Sequence, residues 1–243
     1  MVTQATIEVH RQIGGTLGSS IQEFKVQLDI DNARVIDALH FIRTELDPTL
    51  SYTYSCDGRR RCGMCSMMIN GKPRLACFTK LSHRMTIEPL RGFPVIQDLI
   101  IDRSKYSATI ENIQPFIHTK ASETSRAKSS TYDRDVHLLS DCIECLCCQA
   151  ACPVVNEEKW KLFSGPSALV QLGKYALDPR DSRDAGSAAF AQGINNCDKC
   201  YACERSCPAN IQIVHVIERL QQSARKSSDR NAKSLINMIE GSI

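Results

Sequence analysis

Residues 142–153 read CIECLCCQAACP, and residues 197–208 read CDKCYACERSCP. Each contains C-x2-C-x2-C-x3-C-P, with Cys142, Cys145, Cys148 and Cys152 before Pro153, and Cys197, Cys200, Cys203 and Cys207 before Pro208. Three thiolates at i, i+3 and i+6 wrap three corners of an iron–sulfur cubane, while the proline-flanked fourth points away. Structural zinc also accepts four cysteines, but through paired C-x2-C knuckles rather than one short run closed by proline. The pattern reads as iron–sulfur, and its recurrence as two cubanes.

In two-cluster ferredoxins the fourth thiolate of each run ligates the other cluster. The first [4Fe–4S] is therefore expected on Cys142, Cys145, Cys148 and Cys207. The second is expected on Cys197, Cys200, Cys203 and Cys152. Such an exchange ties the two runs together, so each cluster also staples the fold. Cys147 is left over and reads as a small buried filler or a hydrogen-bonding neighbour.

Towards the N-terminus lies a third group, Cys56, Cys62, Cys65 and Cys77, in the order C-x5-C-x2-C-x11-C. This is plant-type ferredoxin spacing with one extra residue in its first gap, and four thiolates on a two-iron core fit [2Fe–2S]. Gly58 supplies a tight turn in the loop, and backbone N–H groups are expected to bond the sulfurs. A Rieske centre needs two histidines, and none lies near. Zinc stays open for this group, because the longer gap loosens the match. The run Arg59-Arg60-Arg61 reads equally as a solvated loop or as charge that steers an acidic partner and stabilises a reduced cluster. Histidines 10, 40, 83, 118, 137 and 215 are scattered and read as surface or core residues, and Trp160 as packing.

The 13 cysteines of this 243-residue chain are odd in number, which excludes pairing all of them in internal disulfides. The opening MVTQATIEVHRQ lacks the apolar region of a secretory signal, which points to a reducing compartment and to metal ligation. A net charge of +3 is too small for a nucleic-acid surface. No apolar run is long enough to span a bilayer. No G-x-G-x-x-G follows a strand, and Gly14-Gly15-Thr16-Leu17-Gly18 reads as a hairpin loop. No nucleophile–base pair stands out, so the chain carries electrons and leaves bond-making to a partner.

The first portion reads mainly as strand. Residues 6–10 and 24–30 alternate apolar and polar, and residues 67–69, 75–77 and 85–87 are further strands with Asn70-Gly71 as a hairpin turn. Between them Val35, Leu39, Ile42 and Leu46 recur at helical spacing, capped by Asp31 or Asn32 and ended by Asp47-Pro48. The second portion reads as helix. Pro94 opens a pattern through Ile96, Leu99 and Ile100, and a second runs through Ile110, Ile113 and Ile117. Pro166 starts another, and residues 210–224 a fourth. Residues 119–135 are Ser-, Thr- and charge-rich and read as a solvated connection. The expected domains are 1–104 and 105–243.

The chain resembles the iron–sulfur subunit of the succinate dehydrogenase/fumarate reductase family. The resemblance rests on LSYTYSCDGRRRCGMCSMMINGKPRLAC at 50–77, IEPLRGFPVIQDLIID at 87–102, CIECLCCQAACP at 142–153 and FSGPSALVQLGKYALDPRD at 163–181. It implies an α+β protein, with an N-terminal β-grasp plant-type [2Fe–2S] ferredoxin domain and a C-terminal α-helical bacterial-type two-cluster ferredoxin domain. It implies a non-catalytic electron-transfer subunit, docked on a FAD-containing catalytic subunit that interconverts succinate and fumarate. Well-known quinone-linked members lack a cysteine at the position of Cys200 and hold [3Fe–4S] there. With Cys200 present, [4Fe–4S] is expected and [3Fe–4S] is the alternative, which resembles the non-standard branch of the family.

Family members place Ser and paired Trp after the first Cys-Pro and a His after the first cysteine of the last group. Here stand Val154-Val155-Asn156 and Asp198, so no quinone site is expected on this chain. The resemblance implies that electrons leave to a membrane anchor or to a cysteine-rich, heterodisulfide-reductase-like subunit. It places the chain in the cytoplasm, peripheral on the inner face of the cytoplasmic membrane through its complex. The alternatives are the iron–sulfur subunit of a related flavoenzyme acting on another enoate or a thiol donor, and a free-standing ferredoxin-like carrier. Three clusters at about −2 each, thiolates included, shift the formal charge from +3 to about −3.

Overall fold

The computed structural model describes residues 3–12, 19–56, 59, 61–119, 134–155 and 162–240. The expectations for Gly14 to Gly18, Gly58, Arg60, Asn156, Trp160 and most of the 119–135 connection lie outside the described residues. In the first portion β1 (Thr3–Gln12) and β2 (Ser19–Leu28) are followed by helix α1 (Val35–Phe41), which ends in a π-helical turn at Ile42–Leu46. Then come β3 (Ser66–Ile69), β4 (Lys72–Leu75), β5 (Arg84–Glu88), β6 (Val95–Gln97) and β7 (Ile100–Ile101). The first five strands form one mixed sheet in the order β2-β1-β5-β3-β4, with β1 and β5 parallel. This is the β-grasp arrangement.

Alternation decides which face is buried. Ala5, Ile7 and Val9 of β1 are fully buried, Ile7 pairs with Phe24 and Met85, and Val9 with Ile87. The same core takes Val35, Ala38, Leu39 and Ile42 from the helix that crosses the sheet. The β3–β4 hairpin turns at Asn70 and Gly71, both at positive φ (50° and 71°), as a type I′ Asn-Gly turn requires. The helix is not capped by Asp31 or Asn32. Arg34 is its N-cap, and Asp37 reaches back to accept the Arg34 N–H at 2.7 Å.

Two further expectations are corrected. Residues 94–101 form the β6–β7 hairpin rather than a helix, because β-branched Val95, Ile96, Ile100 and Ile101 flank Asp98 at φ 48°. Strand β4 ends at Leu75, and Phe78 and Thr79 donate backbone N–H groups to Leu75 O, turning the chain through Cys77.

Asp98 is 2% exposed and accepts three donors: Arg11 Nε at 3.0 Å, Gln12 N at 3.2 Å and Ser51 N at 2.9 Å. Arg11 also donates to Asp47 at 2.5 Å and to Thr49 Oγ1 at 2.9 Å. The network locks the segment 47–51, which leads directly towards Cys56, to β1 and the β6–β7 hairpin.

The Asp47 carboxyl is held down from 3.8 to about 2, first by the Thr49 hydroxyl and next by Arg11. A depressed folded value contributes stability that is present above about pH 4 and lost as pH falls through about 2. The stability advantage of the native chain over Asp47→Asn is expected to narrow as pH falls through that window. Thermal midpoints of both proteins, compared at each pH, cancel the acid lability of thiolate-held iron that they share.

In the second portion α2 (Ser104–Ile113) and α3 (Arg134–Leu138) precede α4 (Cys147–Ala151) and α5 (Gly165–Ala176). They are followed by α6 (Ala185–Ala191), α7 (Ala202–Arg205) and α8 (Ile213–Glu240). The α2 helix stops at Ile113, short of Ile117, and Pro166 sits in the first turn of α5 as expected. Both α5 and α6 pack on α8. A Cβ at Gly186 would stand 2.3 Å from Ser223 O, so the α6–α8 crossing needs glycine there. Among the described residues no helix is long and apolar enough to cross a membrane.

The chain divides into two compact units. One comprises residues 1–105, 143–152 and 205–209, and the other residues 106–142, 153–204 and 210–243. Cys145 and Cys147 belong to the same buried core as β1 and α1.

Candidate metal centres

None of the thirteen cysteines is paired in a disulfide. Cys56, Cys62, Cys65 and Cys77 line one cavity of about 410 Å³, so the fold gathers all four members of the first group. Cys56 and Cys62 enter from the loop between Tyr54 and β3. Cys65 comes from the residue before β3, and Cys77 from the turn after β4.

Backbone N–H groups aim at the sulfurs, as the loop sequence suggests. The Cys56 thiol is drawn down to about 7, first by the Arg61 N–H, against the opposing effect of burial, and also by the N–H groups of Cys62 and Arg59. Cys77 N lies 3.5 Å from Cys65 Sγ. Burial pushes the Cys65 thiol up to about 12. That cost is recovered when a cationic iron core takes its proton's place. Four thiols on one cavity, with N–H donors around them, fit a [2Fe–2S] core.

The remaining cavity lining was not legible in the sequence. Arg34, Asp37 and His40 reach it from α1 and its N-cap, and Tyr54 from the approach to Cys56. His40 Nδ1 lies 2.7 Å from the Tyr52 hydroxyl, and its ring meets Tyr54 edge-on at 4.5 Å. Helical spacing marks Leu39 as core, but nothing local marks His40 as facing the cysteines.

The two cubane motifs share one backbone design. Each is entered from a single 3-10 turn, Leu139–Asp141 before Cys142 and Ile194–Asn196 before Cys197. Glu144 and Leu146 lie at φ 50° and 64° in the first motif, and Lys199 and Tyr201 at φ 52° and 60° in the second. Left-handed residues between cysteines curl successive N–H groups inwards, the concavity that binds phosphates and iron–sulfur cores. None of the four is glycine, so their sequence carries no sign of it. A short helix then presents Cys148 in the first motif and Cys203 in the second, both buried.

Cys142, Cys152, Cys197 and Cys207 are half-buried, and Cys200 is exposed. Buried Gln171 of α5 donates from Nε2 to Cys142 Sγ at 3.6 Å, a contact with no signature in the sequence. Cys147 is fully buried and its thiol pairs with Cys145, keeping its own proton while Cys145 falls to about 7. That is the hydrogen-bonding neighbour the sequence suggests.

Residues 6–108 match the 2Fe-2S iron-sulfur cluster binding domain family, and residues 138–211 the 4Fe-4S dicluster domain family. The protein thus carries one [2Fe–2S] domain and one two-cubane domain. It is 36% identical over 199 residues to an iron–sulfur protein of Methanococcus maripaludis, covering 79% of this chain and 40% of that protein. The chain therefore spans about two fifths of that relative's length. A fumarate reductase iron–sulfur subunit of Haemophilus influenzae is 35% identical, covering 79% of this chain and 82% of that one. One of the subunits of the fumarate reductase (CoM/CoB) of Methanothermobacter marburgensis is 30% identical, covering 80% of this chain and 39% of that one. Among solved structures, a chain of the Mycobacterium smegmatis Sdh1 complex superposes with a TM-score of 0.81 at 27% identity, covering 91% of this chain and 97% of that one. By both sequence and fold, the chain belongs to the iron–sulfur subunit family of succinate dehydrogenases and fumarate reductases.

Proposed function

We propose that this chain is the electron-relay subunit of a succinate- or fumarate-converting complex, standing between a FAD-containing catalytic subunit and an electron-exit partner. The observation that carries this reading is the set of three cysteine groups on one family scaffold, the first gathered on a single cavity. Residues 1–104 carry the [2Fe–2S] centre on Cys56, Cys62, Cys65 and Cys77. Residues 105–243 carry one [4Fe–4S] on Cys142, Cys145, Cys148 and Cys207 and another on Cys197, Cys200, Cys203 and Cys152.

Bound clusters supply one-electron chemistry over a potential range that the protein sets through hydrogen bonds, charge and burial. The chain's own contribution is to hold thiolates, point N–H groups at them and exclude water. Arg61, Cys62 and Arg59 do so at Cys56, and Gln171 at Cys142. No group of this chain is assigned a bond-making step.

The exit partner is read as a membrane anchor or a cysteine-rich, heterodisulfide-reductase-like subunit, with the complex at the inner face of the cytoplasmic membrane. The relative named as a CoM/CoB fumarate reductase favours the cysteine-rich partner and keeps a thiol-linked flavoenzyme as the second reading. No quinone site is assigned here, since Asp198 stands where the family has histidine.

Isolation of the native complex tests the proposal. Co-purification of a flavin subunit with succinate or fumarate turnover is the expected result, and a stable lone monomer would favour a free carrier. Iron analysis is expected to give about ten irons per chain, with no EPR signal from the oxidised protein. Cys200→Ser is expected to lower the count to about nine and to produce an oxidised [3Fe–4S] signal. An unmodified chain that already shows that signal would overturn the assignment of Cys200.

A further inference from the structure

Arg103 follows the β6–β7 hairpin and immediately precedes α2, and its charge was given no role by the cysteine spacing. Its Nη2 faces two neutral oxygens, Gly63 O at 3.5 Å and Ser66 Oγ at 3.4 Å. Ser66 is 4% exposed, so this end of the guanidinium reaches into the protein rather than into solvent. The carboxylate of the adjacent Asp102 is engaged elsewhere, accepting from Ser104 N at 2.8 Å and Ser104 Oγ at 2.5 Å.

The position of Gly63 makes this contact informative. It lies between Cys62 and Cys65 in the loop that lines the first cavity. Its bare Cα also lies against the first cubane motif, since a Cβ there would stand 2.5 Å from Ile143 O and 2.8 Å from Cys145 Cα. Arg103 therefore sits where the two cysteine groups meet backbone to backbone, within one compact unit.

We propose that Arg103 sets the reduction potentials of two centres at once, the [2Fe–2S] on Cys56, Cys62, Cys65 and Cys77 and the [4Fe–4S] that includes Cys145. Reduction adds one negative charge to a cluster without breaking a bond or moving a proton in this scheme. A fixed cation nearby stabilises the reduced form, most strongly where water is excluded. One charge shared across the junction raises both potentials together, so it shifts both centres while leaving the step between them little changed. Arg103 acts through the field and through the Gly63 carbonyl, so it is a positioning and tuning residue rather than a ligand.

The inference rests on the ligand assignment proposed above, and the test separates the two. Arg103→Gln, Arg103→Met and Arg103→Lys are made in the full chain within its native complex, and both centres are titrated by EPR. Neutral variants are expected to lower the equilibrium constant for reducing each centre about tenfold, which is about 59 mV for a one-electron couple. Lysine is expected to retain most of the native value. Potentials unchanged to within about threefold in both neutral variants would overturn the proposal. An equal fall in Lys and in the neutral variants would also overturn it, because the effect would then follow the fit of the side chain and not its charge. A Cys145→Ser chain that keeps its first cubane unaltered would instead sink the ligand assignment, leaving the effect at the [2Fe–2S] centre readable by itself.

Discussion

Gly63→Ala is expected to be among the most damaging single-atom additions in the molecule. Two penalties act together at this position. Gly63 lies at φ 64°, where any L side chain costs roughly 1–2 kcal/mol. The added methyl would also meet backbone, with Ile143 O at 2.5 Å and Cys145 Cα and N at 2.8 and 3.0 Å. Backbone cannot swing aside as the end of a lysine could, so the cysteine loop and the first cubane motif must separate. Overpacking of this kind costs about 1–3 kcal/mol or more. The sum, roughly 2–5 kcal/mol, is a large part of the 5–15 kcal/mol that ordinarily holds a protein folded. The expected result is a thermal midpoint lower by about 10 °C, with the EPR spectra of both neighbouring centres broadened or lost. A variant with native spectra and a midpoint within 2–3 °C of the original would show that the two segments are not in contact.

Asp98→Ala is the second large effect expected. The carboxylate accepts from Arg11 Nε, Gln12 N and Ser51 N, and its removal leaves two backbone donors without an acceptor. The Arg11 side chain, 15% exposed, keeps Asp47 but loses its innermost partner. Breaking one side of such a buried pair costs about 3–5 kcal/mol, much of it from the groups left behind. Asp98→Asn is not expected to rescue. Asparagine has one oxygen for three donors, and its NH2 would face an N–H group. A double-mutant cycle with Arg11→Met separates the ion pair from the backbone contacts, with a coupling of about 1–3 kcal/mol expected. Denaturation of the cluster-loaded chain provides the measurement. Near-additive losses would show that Arg11 and Asp98 act independently.

What the sequence makes legible here is local. The cysteine spacing alone marks all three ligand groups, because thiolate geometry around an iron–sulfur core permits few chain paths. Strict alternation in β1 places Ala5, Ile7 and Val9 inwards, and Asn70-Gly71 announces its own turn. Residues 94–101 mislead because a short apolar run carries no period long enough to distinguish helix from strand. The left-handed residues Glu144, Leu146, Lys199 and Tyr201 are silent, since the cradle and not the side chain imposes their conformation. His40, Arg103 and Gln171 become informative only when distant segments meet. No local pattern reports that.

The core shared by β1, α1 and the segment holding Cys145 and Cys147 has a consequence for how the protein comes to exist. Translation yields about 5–20 residues each second from the N-terminus. The sheet is thus fully synthesised seconds before the residues that complete its interior leave the ribosome. During that interval the nascent chain presents an unfinished apolar surface beside four uncommitted thiols. A chain truncated just before Cys142 is left permanently in the same state.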